Sequence, residues 1–164
     1  MEVNRVRLLI MAVVLVPLVV IAANVLLNDS TPIASSPGGY SGFTVGGRTF
    51  HFTYVATNQT TREKGLMGAK VTDSTTELFV FPSSDYYSFW MYGVNSSLDI
   101  MWVYTLPGSS SGTFVFLALG APPCHVPVVC TSYAPTARAD FVIEAKAGFA
   151  AANGIKVGTP VTLN

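Results

Sequence analysis

One acidic residue is notable because it lies inside an apolar segment. Asp99 falls between Leu98 and Ile100 in a run typical of a strand, and strand alternation points its side chain away from both neighbours. A carboxylate placed there is partly buried and needs hydrogen-bond donors or a cation. We predict that Arg62 lies within ion-pair reach of Asp99, with Arg138 as a second candidate. The alternative is a structural carboxylate that accepts backbone N–H groups from a neighbouring loop.

A second carboxylate could make Asp99 one half of a catalytic pair. Glu144 ends a predicted strand, and two carboxylates flanking a glycosidic bond are the arrangement that glycoside hydrolases use. The chain contains no phosphate-binding loop or His-Glu-x-x-His motif. We therefore predict no catalytic residue. A hydrolase of cell-surface glycans or peptides, with Asp99 and Glu144 as its carboxylates, is the alternative hypothesis.

Aromatic and sulfur-containing side chains could complete a binding pocket. Trp90 and Met91 are adjacent on one predicted strand and point to opposite faces, so one belongs to the core and the other can line a groove. The candidate pocket consists of Arg62, Met67, Trp90 and Asp99. Soft-metal ligands are present as well, but their spacing follows no recurrent copper motif, and methionine also fills core gaps. We predict no metal and no cofactor.

The N-terminal segment has the composition of a membrane anchor. Residues 8–27 carry no charged side chain and, at about 1.5 Å per residue, reach roughly the thickness of a bilayer's hydrocarbon core. Arg5 and Arg7 precede this run, and no Lys or Arg follows until Arg48, which places the N-terminus in the cytoplasm. A cleaved signal peptide is the alternative, and it would export the same domain. We predict a cytoplasmic N-terminus (1–7), a single-pass cell-membrane anchor (8–27), a flexible linker (28–42) and an extracytoplasmic β domain (43–164).

The exported part of the chain is close to electrically neutral. It lacks a basic stripe, so we predict no nucleic-acid partner. The predicted partners are the membrane, through the N-terminal helix, and a cell-envelope component or small-molecule ligand. Three Asn-x-Ser/Thr triplets are candidate glycosylation sites, at Asn28, Asn58 and Asn95.

The two cysteines of the chain, Cys124 and Cys130, both follow the predicted anchor. They would therefore lie in a compartment where disulfides persist. The five residues between them can form a turn around Pro127. We predict a disulfide that fixes the connection between two strands.

Short apolar runs separated by Gly, Pro and Ser predict an all-β domain. The predicted fold class is a β-sandwich or partly closed barrel with two short helices, preceded by one transmembrane helix. Gly46-Gly47 is predicted to form a hairpin turn. One helix is predicted to begin at Thr60 with a capping box to Glu63, and the other covers 149–153. The predicted strands cover 43–45, 48–55, 78–81, 86–91, 98–104, 113–119, 141–145 and 161–163. The predicted core residues are Phe50, Phe52, Phe79, Phe81, Trp90, Ile100, Phe116, Val142 and Ile155.

The order of several short motifs resembles the family known as domain of unknown function 192 (DUF192). The similarity covers about 45–163. The chain departs from the family pattern at Gly93-Val94, at Ser97, at Thr159 and at Thr76-Glu77, the two residues before the Leu-Phe-Val-Phe strand. The resemblance implies a jelly-roll-like β-sandwich and no established activity. The matching blocks are Gly65-Leu66-Met67, Leu78–Phe81, Phe89-Trp90-Met91, Leu98-Asp99-Ile100, Cys124 and Cys130 with Tyr133, Glu144 with Ala147-Gly148, and Gly154–Gly158.

Together these observations favour a membrane-anchored extracytoplasmic domain that is not an enzyme. They indicate a ligand-binding or envelope-interaction module of unknown biochemical activity.

Overall fold

The computed structural model describes residues 39–126 and 128–164. The predicted anchor (8–27) and Asn28 lie outside these residues. No helix in the described ranges is long and apolar enough to cross a membrane. Tyr40 and Ser41, which the sequence assigns to the linker, contact the folded part: the Tyr40 ring packs edge-on against Phe141 at 5.3 Å, and the Ser41 N–H donates to the Asn164 carbonyl.

Across the described residues, eight strands form one sheet in the order β2-β1-β8-β6-β5-β7-β4-β3. Neighbouring strands are antiparallel, except that β3 and β4 are parallel. The elements are β1 (Gly42–Val45), β2 (Arg48–His51), β3 (Tyr54–Ala56), α1 (Gln59–Lys64), β4 (Thr76–Asp85), β5 (Leu98–Thr105), β6 (Ser111–Ala121), β7 (Ala139–Lys146), α2 (Phe149–Ala152) and β8 (Pro160–Leu163).

The sheet curls because its two edge strands, β2 and β3, are neighbours in the sequence. Only Phe52 and Thr53 separate them. The Thr76 hydroxyl donates to the His51 carbonyl at 2.7 Å, and the Thr53 N–H donates to the Thr76 carbonyl at 2.8 Å, so β4 lies beside the end of β2. The result is a curled half-barrel, which agrees with the partly closed barrel and not with a sandwich of two separate sheets.

One core fills the inside of this curl. Side chains from strands near both ends of the sheet contribute to it, including Phe43 from β1 and Leu78 from β4. Phe50 and Phe52 pack against it. The Phe43 ring stacks on both of these rings, with centroids 5.2 and 5.3 Å apart. Since apolar side chains from most strands meet here, this inner core closes the half-barrel.

A second core lies on the outer face of β4, β5 and β7. Phe79, Ile100, Trp102 and Val142 project from the strands and are buried. The segment 57–71, which contains α1, and the segment 86–97 cover them, with Leu66 and Met91 as buried contacts from the two covering segments. Strand β5 is therefore buried on both faces, which explains why its sequence is almost uniformly apolar.

Several local predictions are wrong for identifiable reasons. The first helix begins two residues earlier than predicted, because Asn58 and not Thr60 is its N-cap: the Asn58 side chain accepts the Thr61 N–H, and the Thr61 hydroxyl accepts the Asn58 N–H. Residues 86–91 contain one isolated bridge, at Phe89, and no strand. The prediction that Trp90 is a core residue is wrong, because its side chain is 59% exposed. Met91 is 1% exposed and is the core residue of this pair.

Candidate functional site

Two glutamates lie side by side in the outer core. Glu77 of β4 and Glu144 of β7 are direct cross-strand partners in an antiparallel register, and each is only 4% exposed. Partners of this kind project to the same face with Cβ atoms about 5 Å apart. Ile100 of β5 pairs with Glu144 on its other side, and Phe79 follows Glu77 on the same face of β4. The two carboxyl groups therefore share an apolar setting.

Burial makes both carboxyl groups weak acids. Removal from water raises the pKa of Glu77 from 4.5 to about 7, against a smaller opposing effect of the Lys64 ammonium. Burial also raises the pKa of Glu144 well above its usual value, and the charge of Glu77 adds to this increase. A raised pKa in a buried pair is typical of functional sites, although structural networks can produce it too.

Glu77 also has an unsatisfied oxygen. Its Oε2 atom is buried and has no hydrogen-bond partner among the described residues. A buried polar atom in this state costs free energy comparable to a lost hydrogen bond. Native proteins contain few such atoms, and each calls for an explanation.

A cleft of about 470 Å³ opens over Glu77. Tyr54, 45% exposed, stands at its border, and Lys64 from the end of α1 is also exposed. Apolar atoms from Val55, Met67 and Ala69 contribute to the walls. The other residues around the cleft are Thr53, Thr61, Gly65 and Gly68. An open apolar cleft with a few polar groups at its base has the general form of a small-molecule site.

Gly65 lets the backbone pass close to the carboxyl pair. It ends α1 at φ 45° and ψ −140°, a region that L side chains rarely adopt. A Cβ atom added there would lie 3.3 Å from the Phe79 ring and 3.9 Å from Glu77 Oε2. The chain then turns so that Leu66 is buried in the outer core. The Gly65-Leu66-Met67 motif therefore forms the turn that covers Glu77.

The structure brings together three of the four residues of the predicted pocket. Arg62, Met67 and Trp90 line a small hollow of about 30 Å³ that also reaches Glu144. Gly65 and Met67 border both this hollow and the larger cleft over Glu77. The fourth predicted residue, Asp99, does not border either one.

Asp99 lies on the opposite face of the sheet and is structural in its contacts. It is 2% exposed, and its carboxylate accepts three backbone N–H groups, from Gly120, Gly148 and Ala150, at 2.9–3.0 Å. Two of these donors belong to the start of α2. Because Ile100 pairs with Glu144, Asp99 and Glu144 point to opposite faces. The predicted Asp99–Glu144 pair is therefore not formed.

The predicted ion pair between Arg62 and Asp99 is wrong as well. The Arg62 guanidinium donates to the Thr57 and Val80 carbonyls at 2.9 Å and lies 5.2 Å from the centre of the Phe81 ring. These contacts hold α1 against the edge of β4 on the outer face. Arg138, the other candidate, lies over the Tyr86 ring. Backbone donors satisfy Asp99 without a cation.

The predicted disulfide between Cys124 and Cys130 is present, with Cα atoms 5.6 Å apart. Cys124 exchanges backbone hydrogen bonds with Met91 and Gly93, so the disulfide loop is attached to the segment that carries Trp90. Of the described glycosylation candidates, Asn95 is exposed, while the exposed Asn58 side chain is engaged in capping α1.

Sequence reasoning missed Glu77. The sequence analysis selected Asp99 in β5 and not Glu77 in β4, although Glu77 comes directly before the apolar Leu78–Phe81 run. The same signal that selected Asp99 would have selected it. The described residues contain no cluster of three His, Cys, Asp or Glu side chains that could hold a metal ion. Met91 and Met101 are buried in different cores.

Comparison with known proteins supports the fold and adds no activity. The chain is similar to a protein of unknown function from Novosphingobium aromaticivorans, with 25% identity, coverage of 79% of this chain and 88% of the other, and a TM-score of 0.61. It shares its fold with a protein from Sinorhizobium meliloti that is described as a proposed transcription regulator, with 21% identity, 74% and 90% coverage, and a TM-score of 0.60. No curated protein matches the chain. The profile of DUF192, an uncharacterised ACR family, matches residues 43–163, and the chain therefore belongs to the DUF192 family.

Proposed function

We propose that this protein is a membrane-anchored extracytoplasmic module that binds a small ligand in the cleft over Glu77 and does not catalyse a reaction on it. The observation that carries the proposal is Glu77, which borders the open cleft and whose Oε2 atom is buried without a hydrogen-bond partner among the described residues. A bound ligand that donates a hydrogen bond would satisfy this atom. The oxygen would then contribute to ligand affinity while it lowers the stability of the empty protein.

The residues around the cleft favour binding over hydrolysis. Besides Glu77, the polar side chains around the cleft are hydroxyl groups and the Lys64 ammonium. Glu144 borders the smaller hollow instead of the cleft. A hydrolase needs two groups that reach the scissile bond, one for each proton transfer. Asp99 and Glu144 cannot act together from opposite faces, so the hydrolase hypothesis loses the pair on which it was based.

The location belongs to the same proposal. It is based on the uncharged run at 8–27 and on the arginines that precede it. The native protein should stay with membranes through high-salt and alkaline washing. Recovery of a soluble product that begins near Asn24 would show instead that the segment is a cleaved signal.

Binding in the cleft can be tested with a library of soluble fragments. The full chain, purified in detergent micelles, is screened by ligand-observed NMR, and the hits are repeated with Glu77→Gln. Glu63→Gln is the matched control, because Glu63 is exposed on α1 and does not border the cleft. We expect a set of fragments whose affinity falls with Glu77→Gln and not with Glu63→Gln. If no fragment distinguishes the two variants, the cleft is not a binding site.

A further inference from the structure

We infer that the ligand of this cleft carries a protonated primary amine on a small apolar body, and that Glu77 holds the amine at the base of the cleft. This inference rests on the proposed binding function and specifies the chemistry of the ligand. Three features of the site support it: the kind of hydrogen-bonding group that Glu77 lacks, the charge around it, and the space above it.

The missing group is a hydrogen-bond donor. An ionised carboxylate only accepts hydrogen bonds, and Glu77 Oε2 receives none from the described residues. A ligand that binds this ionised form must therefore provide an N–H or O–H group within about 3 Å of the atom. A charged N–H donor makes the shorter and stronger bond to a carboxylate.

The charge around the pair favours a cation. Glu77 and Glu144 are adjacent cross-strand partners. Neither makes an ion pair within the described part of the chain, where the ion pair that forms joins Lys146 and Asp73. Lys64 is the basic group that affects Glu77 electrostatically, but it is exposed and makes no hydrogen bond to it. A buried carboxylate pair without its own cation stabilises a cationic ligand more than a neutral one.

The space above Glu77 favours a compact head group. The Gly65 backbone passes so close that an added Cβ would lie 3.9 Å from Oε2. A primary ammonium is a compact charge with three donors, whereas a guanidinium is a wide planar fork. A Ca²⁺ or Mg²⁺ ion would need about six or more oxygen ligands and a Zn²⁺ ion about four ligands, and no group of three candidate ligand side chains occurs in the described ranges.

The walls of the cleft select the rest of the ligand. Val55, Met67 and Ala69 provide apolar contacts, and the exposed Tyr54 ring can pack against an aromatic or aliphatic group. An amine with an apolar body matches both the base and the walls. 2-Phenylethylamine has this form, and 2-phenylethanol has nearly the same shape without the charge.

These two compounds test the inference on the full chain in detergent micelles. At pH 8 we expect the amine to bind about tenfold or more tightly than the alcohol, as measured by calorimetry or NMR titration. Glu77→Gln should weaken binding of the amine by a similar factor and change the affinity for the alcohol by less than about twofold. Glu63→Gln should change the affinity for neither compound.

A second measurement uses the pH dependence of binding. The amine stays protonated from pH 6 to pH 8, and it requires an ionised carboxylate, so its affinity should rise over this range with release of a proton. Affinity for the alcohol should not rise. Equal binding of the two compounds, an amine affinity that falls as pH rises, or fragment hits that contain no amine would each overturn the inference and leave the binding function intact. If no compound binds in the cleft, both proposals fail.

Discussion

Asp99 and Glu77 are buried carboxylates on opposite faces of the same sheet, and they have opposite hydrogen-bonding states. Asp99 is 2% exposed and Glu77 is 4% exposed. Three backbone N–H groups bind the Asp99 carboxylate, whereas Glu77 Oε2 has no partner in the described residues and faces a second glutamate across the strands. Two carboxylates that are almost equally buried therefore differ in their supply of hydrogen-bond donors.

The donors of Asp99 come from backbone that the fold must place in any case. The start of α2 leaves N–H groups without partners inside the helix, and a carboxylate from β5 accepts two of them. On the outer face, the turn after α1 presents Gly65 and side-chain carbon atoms to Glu77. The inner carboxylate thus completes the fold, whereas the outer one keeps an oxygen without a partner among the described residues.

The largest expected effect comes from removing the structural acid. Asp99→Ala should lower the free energy of unfolding by about 3–5 kcal/mol, because three N–H groups lose their acceptor. Urea unfolding of the full chain in micelles, followed by tryptophan fluorescence, measures this. Asp73→Ala is the control, since Asp73 makes an exposed ion pair and should change stability by less than about 0.5 kcal/mol. A loss below about 1 kcal/mol for Asp99→Ala would contradict its structural role.

The pH dependence of stability should reveal the second acid. The pKa of Glu77 is raised from 4.5 to about 7 in the folded protein, so the fold favours the protonated form. Its contribution is complete below about pH 4.5 and is lost as pH rises through about 7, a total of about 3 kcal/mol. Glu144 acts in the same direction.

Glu77→Gln isolates this contribution, because glutamine does not titrate. The unfolding free energy of the wild type minus that of Glu77→Gln, measured by urea unfolding at a series of pH values, should fall by about 3 kcal/mol between pH 4.5 and pH 8. The corresponding difference for Glu63→Gln should stay nearly constant. A Glu77→Gln difference independent of pH would mean that Glu77 is not a perturbed acid.

The smallest expected effect concerns the turn over Glu77. Gly65→Ala should cost about 1–3 kcal/mol, because the backbone has a positive φ and the added Cβ meets the Phe79 ring at 3.3 Å. Gly154→Ala shares the positive φ but meets no atom within 4 Å, and it should cost about 1 kcal/mol. The difference between the two variants, measured by urea unfolding, reports the backbone strain at Gly65 together with the crowding above the carboxyl pair. Equal costs would mean that the turn does not press on the outer core.

The sequence predicted the strands better than the contacts between them. The Gly46-Gly47 hairpin and strands β4 to β8 follow from local alternation and glycine positions, and the disulfide follows from there being two cysteines. Which carboxylates meet depends on the order and register of the strands. These place Glu77 of β4 opposite Glu144 of β7, although the two residues are far apart in the sequence. No local pattern contains that information. Trp90 and Met91 show the same limit, because alternation separated their faces but could not say which face is covered.

The pairing of the first strand with the last has a consequence for the order of folding. Phe43 of β1 lies opposite Leu163 of β8, so β1 cannot take its place in the sheet until almost the whole chain has been synthesised. Contacts that span most of a chain carry a large loop-closure entropy and slow folding. The β5–β6 and β5–β7 pairs can form from a central segment alone. We therefore expect refolding from urea to protect the β5–β7 amides from hydrogen exchange before the β1 amides that pair with β8.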